Sequence, residues 1–113
     1  GPVKTASRMD VPRSGAQVAA GRVAVAGVAW AMHRGIQAVQ VQVDDGPWVD
    51  ARLATEPTAD SWRQWVFEWD ATSGSHVITV RARDGAGEWQ TSQRASADPE
   101  GATGYHSVAV RVA

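Results

Sequence analysis

A chain of 113 residues holds one domain and is too short for two ordinary ones, and 43% hydrophobic residues are enough for a core. A net charge of −1, from 11 basic and 12 acidic residues, offers no basic face for nucleic acid and no acidic tail. The absence of cysteine excludes disulfides, thiolate metal sites and a cysteine nucleophile. No apolar run reaches the ~18 residues of a membrane-spanning helix, so no direct membrane insertion is expected.

Gly1-Pro2 has the form of a protease-cleavage remnant. The domain is therefore read over 3–113, as a piece of a longer protein. After a mixed opening, Pro12 and Gly15 mark a turn following a first strand, with Pro12 suited to an edge strand or a strand end. Gly21 to Trp30 reads as a strand apolar on both faces: Val23, Val25 and Gly27 on one, Ala24, Ala26, Val28 and Trp30 on the other. Ile36 to Val43 alternates cleanly, with Val39, Val41 and Val43 inward and Gln40 and Gln42 outward. Asp44-Asp45-Gly46-Pro47 predicts a hairpin turn, and Trp48 to Leu53 the return strand. Thr55 to Ser61 is a loop by composition.

Trp62 to Trp69 is the stretch around which the rest is organised. Trp65, Phe67 and Trp69 alternate with Gln64, Val66 and Glu68, so in a strand the three aromatics share the core face. Asp70 to Ser75 is a tight connection. His76, Ile78, Val80 and Ala82 are expected to face the core, leaving Arg81 and Arg83 in solvent. Asp84 to Gly87 is a second hairpin turn, Ser92 to Gly104 the longest loop, and Tyr105 to Val112 the last strand, with Val108, Val110 and Val112 on one face. About seven short strands without a helix predict an all-β, immunoglobulin-like antiparallel β-sandwich.

Nothing in this pattern reads as catalytic. His33, His76 and His106 do not stand at metal-ligand spacing, and no Gly-x-Ser-x-Gly elbow frames a serine. Asp44 and Asp45 fit turn chemistry better than acid–base catalysis. Calcium at Asp70, Asp84 or Asp98 is the remaining metal alternative. No catalytic, cofactor-binding or metal residue is assigned, and the residues read as a binding or assembly module.

Several of these segments also carry a resemblance. Val3 to Gly15, Gly27-Val28-Ala29-Trp30, Ile36 to Trp48 with its Val-x-Val-Asp-x-Gly-x-Trp ending, Trp62-Arg63-x-Trp65, Asp84 to Gln90, and Gly104-Tyr105-His106-Ser107-Val108 occur in this order. Together they resemble the C-terminal dimerisation domain of the sulfite oxidase family of molybdopterin-dependent oxidoreductases, in its bacterial and especially actinobacterial members. Tyr105 departs from the Trp common at that place. The resemblance implies a non-catalytic fragment: molybdenum belongs to a preceding domain whose cysteine binds it, and this chain has none. It implies a homodimer in the parent, packing against the molybdopterin domain, with Trp30, Trp62, Arg63, Trp65 and His106 as structural and interface candidates. Some relatives carry membrane-spanning helices ahead of the catalytic domain, which would place this domain outside the cytoplasm. The rival reading is a generic immunoglobulin-like binding module of a cell-surface or carbohydrate-binding protein, with exposed tryptophans as a stacking platform. An autonomous small enzyme is the third.

Overall fold

The computed structural model describes residues 5–31, 35–54, 62–90 and 105–113. Among them are nine strands: β1 (Ala6–Val11), β2 (Gln17–Val18), β3 (Gly21–Trp30), β4 (Ile36–Val43), β5 (Trp48–Asp50), β6 (Arg52–Leu53), β7 (Trp62–Ala71), β8 (Gly74–Asp84) and β9 (His106–Val112). They form a four-stranded sheet, β1-β3-β7-β6, and a five-stranded sheet, β2-β9-β8-β4-β5. This is the ABED and GFC arrangement of the immunoglobulin sandwich, with one strand added beyond C and a short partner beside G. The loops expected over Thr55 to Ser61 and Ser92 to Gly104 lie outside the described residues.

The alternation expected of the strands decides which residues meet between the sheets. Val25, Ala29, Val39, Val41, Trp65, Trp69, Ile78, Val80, Ala82, Val108, Val110 and Val112 are all buried. Trp65, at 2% exposure, is the largest of the fully buried side chains, and Phe67 packs half-buried against the same core. The aromatic stretch is therefore a core strand, paired along its whole length with β3: Val23 faces Trp69, Val25 faces Phe67 and Gly27 faces Trp65. Pro12 follows β1, an edge strand of its sheet, where its missing N–H breaks no interior ladder.

The structure corrects the expected organisation in four places. Trp48 to Leu53 is not one return strand. β5 pairs with β4 over Trp48–Asp50, and after Ala51 the chain enters the other sheet as β6, where Arg52 pairs with Val66 and Leu53 with Trp65. The sandwich is not wholly antiparallel, because β2 runs parallel to β9. The turn after β4 closes on Asp44-Asp45, one residue before the Asp-Gly pair: Gly46 N donates to the Val43 carbonyl at 3.0 Å, and the positive φ of 54° falls on Asp44. A short polar side chain makes that conformation tolerable. Arg81 and Arg83, finally, are half-buried under aromatic rings.

Candidate functional site

An antiparallel sandwich ordinarily turns one apolar face of each sheet inward and a polar face outward. Here both outward faces depart from that pattern. On the four-stranded sheet, the residues of β3 and β7 that alternate with the core positions are Arg22, Ala24, Ala26, Val28 and Trp30 on one strand and Trp62, Gln64, Val66, Glu68 and Asp70 on the other, apolar towards the Trp30 end and charged towards the Arg22 end. Cross-strand register sets Trp30 against Trp62 and Ala26 against Val66. Trp62 is 47% exposed. Arg8–Asp10 at 2.7 Å and the longer Arg22–Glu68 and Arg22–Asp70 pairs, at 3.7 and 3.9 Å, stand on the same face, all well exposed. Pairs of that kind add little to stability.

The candidate residues divide between two sides of this sheet. Trp30 and Trp62 lie together on the outward face. Arg63 and Trp65, one and three positions along from Trp62, belong to the core-facing set. Arg63 is half-buried; its Nη2 donates to the Ala54 carbonyl at 2.7 Å, while its Nε is buried without a hydrogen-bond partner. The Trp65 indole N–H is likewise buried and unpaired. His106 sits elsewhere and ties the sheets together: its Nδ1 accepts a 2.8 Å hydrogen bond from the Met9 backbone N–H of β1. That bond requires Nδ1 to be unprotonated. Burial lowers the His106 pKa, the charge of Arg8 lowers it further, and Asp10 opposes both.

The second outward face, on the five-stranded sheet, was not foreseen. The Arg81 guanidinium carbon lies 4.1 Å from the centre of the Trp48 ring and 4.5 Å from that of Trp89. Arg83 lies 5.1 Å from Trp89, and Tyr105 meets Trp48 edge-on at 5.5 Å. The result is a connected cluster of Tyr105, Trp48, Arg81, Trp89 and Arg83, held by cation–ring attraction and one edge-on ring contact. A signal for it exists in the sequence. Arg81 and Arg83 are two apart on one strand and so share a face, and the tryptophans stand where the neighbouring hairpins return.

Two further polar clusters stand among the described residues. His76 is 14% exposed at its side chain; its Nδ1 lies 2.7 Å from Asp44 Oδ2, and its Nε2 donates to the Thr72 carbonyl at 2.8 Å. The Asp44 hydrogen bond, then the Thr72 carbonyl, raise the His76 pKa, and the same His76 bond followed by the Val77 N–H lowers that of Asp44. Asp84, read from the sequence as the start of a hairpin turn, is only 1% exposed. Its Oδ1 accepts from the Ala86 and Glu88 backbone N–H groups, and its Oδ2 from the Thr5 hydroxyl. Beside it the Ser7 hydroxyl donates to Gln90 Oε1 at 2.7 Å. Asp84 thus closes a turn and holds Thr5, just before β1, against it. Among the described residues no group of three His, Cys, Asp or Glu is placed to hold a metal ion.

The fold defines the class: an immunoglobulin-like, fibronectin-III-like β-sandwich. No protein-family model and no curated protein sequence matches the chain. Among solved structures it is similar to the sulfane dehydrogenase SoxCD from Paracoccus pantotrophus, at 23% identity and a TM-score of 0.66, over 78% of this chain and 23% of that one. It is also similar to the fibronectin(III)-like modules of Clostridium thermocellum CbhA, at 24% identity and TM-score 0.63, over 97% of this chain and 47% of theirs. CopC from Methylosinus trichosporium OB3b follows at 15% identity and TM-score 0.53, over 94% of this chain and 92% of that one. At these identities the likeness is one of fold. The chain spans less than half the length of the first two.

Proposed function

We propose that this chain is a non-catalytic assembly domain of a sulfite-oxidase-like molybdopterin oxidoreductase, serving dimerisation and packing against the cofactor-bearing domain. The observation that carries the reading is the outward face of the four-stranded sheet, where Ala24, Ala26, Val28, Trp30, Trp62 and Val66 take places that water would normally claim. Apolar side chains gathered at outward positions, with Trp62 47% exposed among them, suit an interaction site. The ordered motifs from Gly27 to Val108 support the choice of parent. The sandwich of the sulfane dehydrogenase, an oxidoreductase acting on a sulfur compound, is likewise one part of a longer chain.

The residues of this chain do not fit molybdenum themselves. There is no thiolate, and no cluster of metal-binding side chains among the described residues. The cofactor is assigned to the preceding domain, and no chemical step to this one. A symmetric dimer would bring the same patch of both copies together.

The test is made on the full-length parent. Recovered with an antibody to this domain, it is expected to carry about one molybdenum per chain and to sediment as a dimer. Val28→Asp and Trp62→Asp place a charge on the apolar face and are expected to give folded monomers. A parent that is never a dimer, or variants that all stay dimeric, removes the dimer role. A parent prepared with its cofactor retained but lacking molybdenum shifts the reading to a generic binding module.

A further inference from the structure

We propose that the notch left where β5 departs from the five-stranded sheet binds a neutral pyranose sugar, stacked on Trp89. The inference is independent of the assembly reading and concerns the opposite side of the molecule.

The notch follows from the strand switch. β5 pairs with β4 only across Gln40–Gln42, and the chain then crosses at Ala51 to the other sheet. The flank of β4 over Gln37–Val39 becomes the floor of a groove of about 420 Å³, walled by Asp50, Arg83 and Trp89. Small-ligand clefts start at roughly 300 Å³.

Its walls are held in place before any ligand arrives. Trp89 is 37% exposed, is joined to Arg83 by a backbone bridge, and lies against the guanidinium groups of both Arg81 and Arg83. Arg81 donates from Nε and Nη2 to Gln40 Oε1 at 3.0 and 2.6 Å, and Gln40 Nε2 donates to Asp50 Oδ1 at 3.0 Å. This relay fixes the Asp50 carboxylate at the groove as an acceptor. Arg83 is a second wall, its guanidinium held against the Trp89 ring. Walls ordered in advance reduce the entropic cost of binding.

The lining selects the ligand class. One aromatic wall beside a rim of amide, carboxylate and guanidinium suits a ring with an apolar C–H face and hydroxyls around its edge. A flat aromatic ligand would need a second apolar wall facing Trp89. Asp50 and Arg83 offset each other in charge, so a phosphate or carboxylate gains little from the site.

The experiment titrates the 113-residue chain with methyl glucoside, methyl mannoside and their β-1,4-linked oligomers. It follows tryptophan fluorescence and the indole N–H resonances. A saturable shift of the Trp89 resonance is expected, with a Kd on the order of 1 mM, as one stacked ring and a few water-exchanged hydrogen bonds allow. Trp89→Ala is expected to weaken binding about tenfold or more, and Asp50→Asn to weaken it with the fold intact, so that the site is tested even if the first variant unfolds. Val11→Thr, on the other sheet, serves as the unchanged control. A flat response to every neutral sugar overturns the proposal. So does a titration unaffected by both variants, or tighter binding of a hexuronate or inorganic phosphate than of any neutral pyranose. Sedimentation of the parent reads the assembly role separately.

Discussion

A Cβ built on Gly27 would run into the Arg8 carbonyl of β1, which approaches closely beside the register shift between Met9 and Val11. The glycine answers to a neighbouring strand, not to a backbone angle of its own. Gly27→Ala is therefore expected to push β1 away from β3 and to destabilise the fold by about 1–3 kcal/mol, read as a fall in the denaturant midpoint at unchanged m-value. The two described core-facing histidines act in opposite senses at this same scale. His106 has a lowered pKa, so the unfolded chain binds its proton first and stability rises as pH climbs towards 6.5, the ordinary value. His76 has a raised pKa, so its stabilisation is full below 6.5 and is lost as pH rises through the folded value above it. Asp44 adds stability above 3.8 that is lost as pH falls through its lowered folded value. Denaturant midpoints across pH should thus pass through a maximum near 6.5, the unshifted value of both histidines. His76→Gln should flatten the alkaline limb and His106→Gln the acid one; a profile unchanged by either substitution would falsify the assignment. Periodicity placed His76 and His106 on strands but did not reveal their partners, because Asp44 is 32 residues and Met9 97 residues away in sequence.

Among the elements, β8 carries the five-stranded sheet, lying between β4 and β9 with Ile78, Val80 and Ala82 completely buried. Ile78→Ala removes atoms from a site enclosed by both neighbouring strands and the facing sheet, and is expected to cost roughly 2–5 kcal/mol in chemical denaturation. β4 and the inward sets of β7, β8 and β9 were legible because alternation over seven to eleven residues leaves little choice of face, whereas β3 was legible as a strand but, apolar on both sides, did not show which side faces in. The division of Trp48 to Leu53 was not. Apolar and polar residues mark a strand as half-buried without saying which sheet it joins, and a crossing at one alanine leaves no signature. β2 has only two residues and its parallel partner lies at the far end of the chain, so nothing local announces it. The same holds for Arg81 and Arg83. Alternation put them correctly on the outer face, but charge alone suggested water, whereas the rings of Trp48 and Trp89 claim their guanidinium groups.

The whole molecule presents two outward faces of different chemistry, one aliphatic with paired tryptophans and one built from arginine and aromatic rings. If the first closes a dimer, association is driven by apolar burial and not by the exposed ion pairs around it. Sedimentation equilibrium of the parent at about 0.1 M and 1 M salt should then show a dimer equally firm or firmer at the higher concentration, where the Debye length shrinks from about 10 to 3 Å. Dissociation at high salt would assign the contact to Arg8, Arg22 and their partners instead. The presence of an unusual outer face could be read from Ala24, Ala26, Val28 and Trp30 in the sequence. The separation of Trp62 from Arg63 and Trp65 follows from alternation alone, although the resemblance had grouped them.

The parallel pairing of β2 with β9 has a mechanical consequence. Gly15 N bonds to the Ala109 carbonyl, Arg111 N to that of Ala16, and Ala113 N to that of Val18. Tension applied to the two ends of the chain would draw these strands along one another in opposite directions. Their hydrogen bonds would then carry the load together instead of parting one at a time like the teeth of a zip. A domain joined in this way resists stretching more than its modest number of terminal bonds suggests.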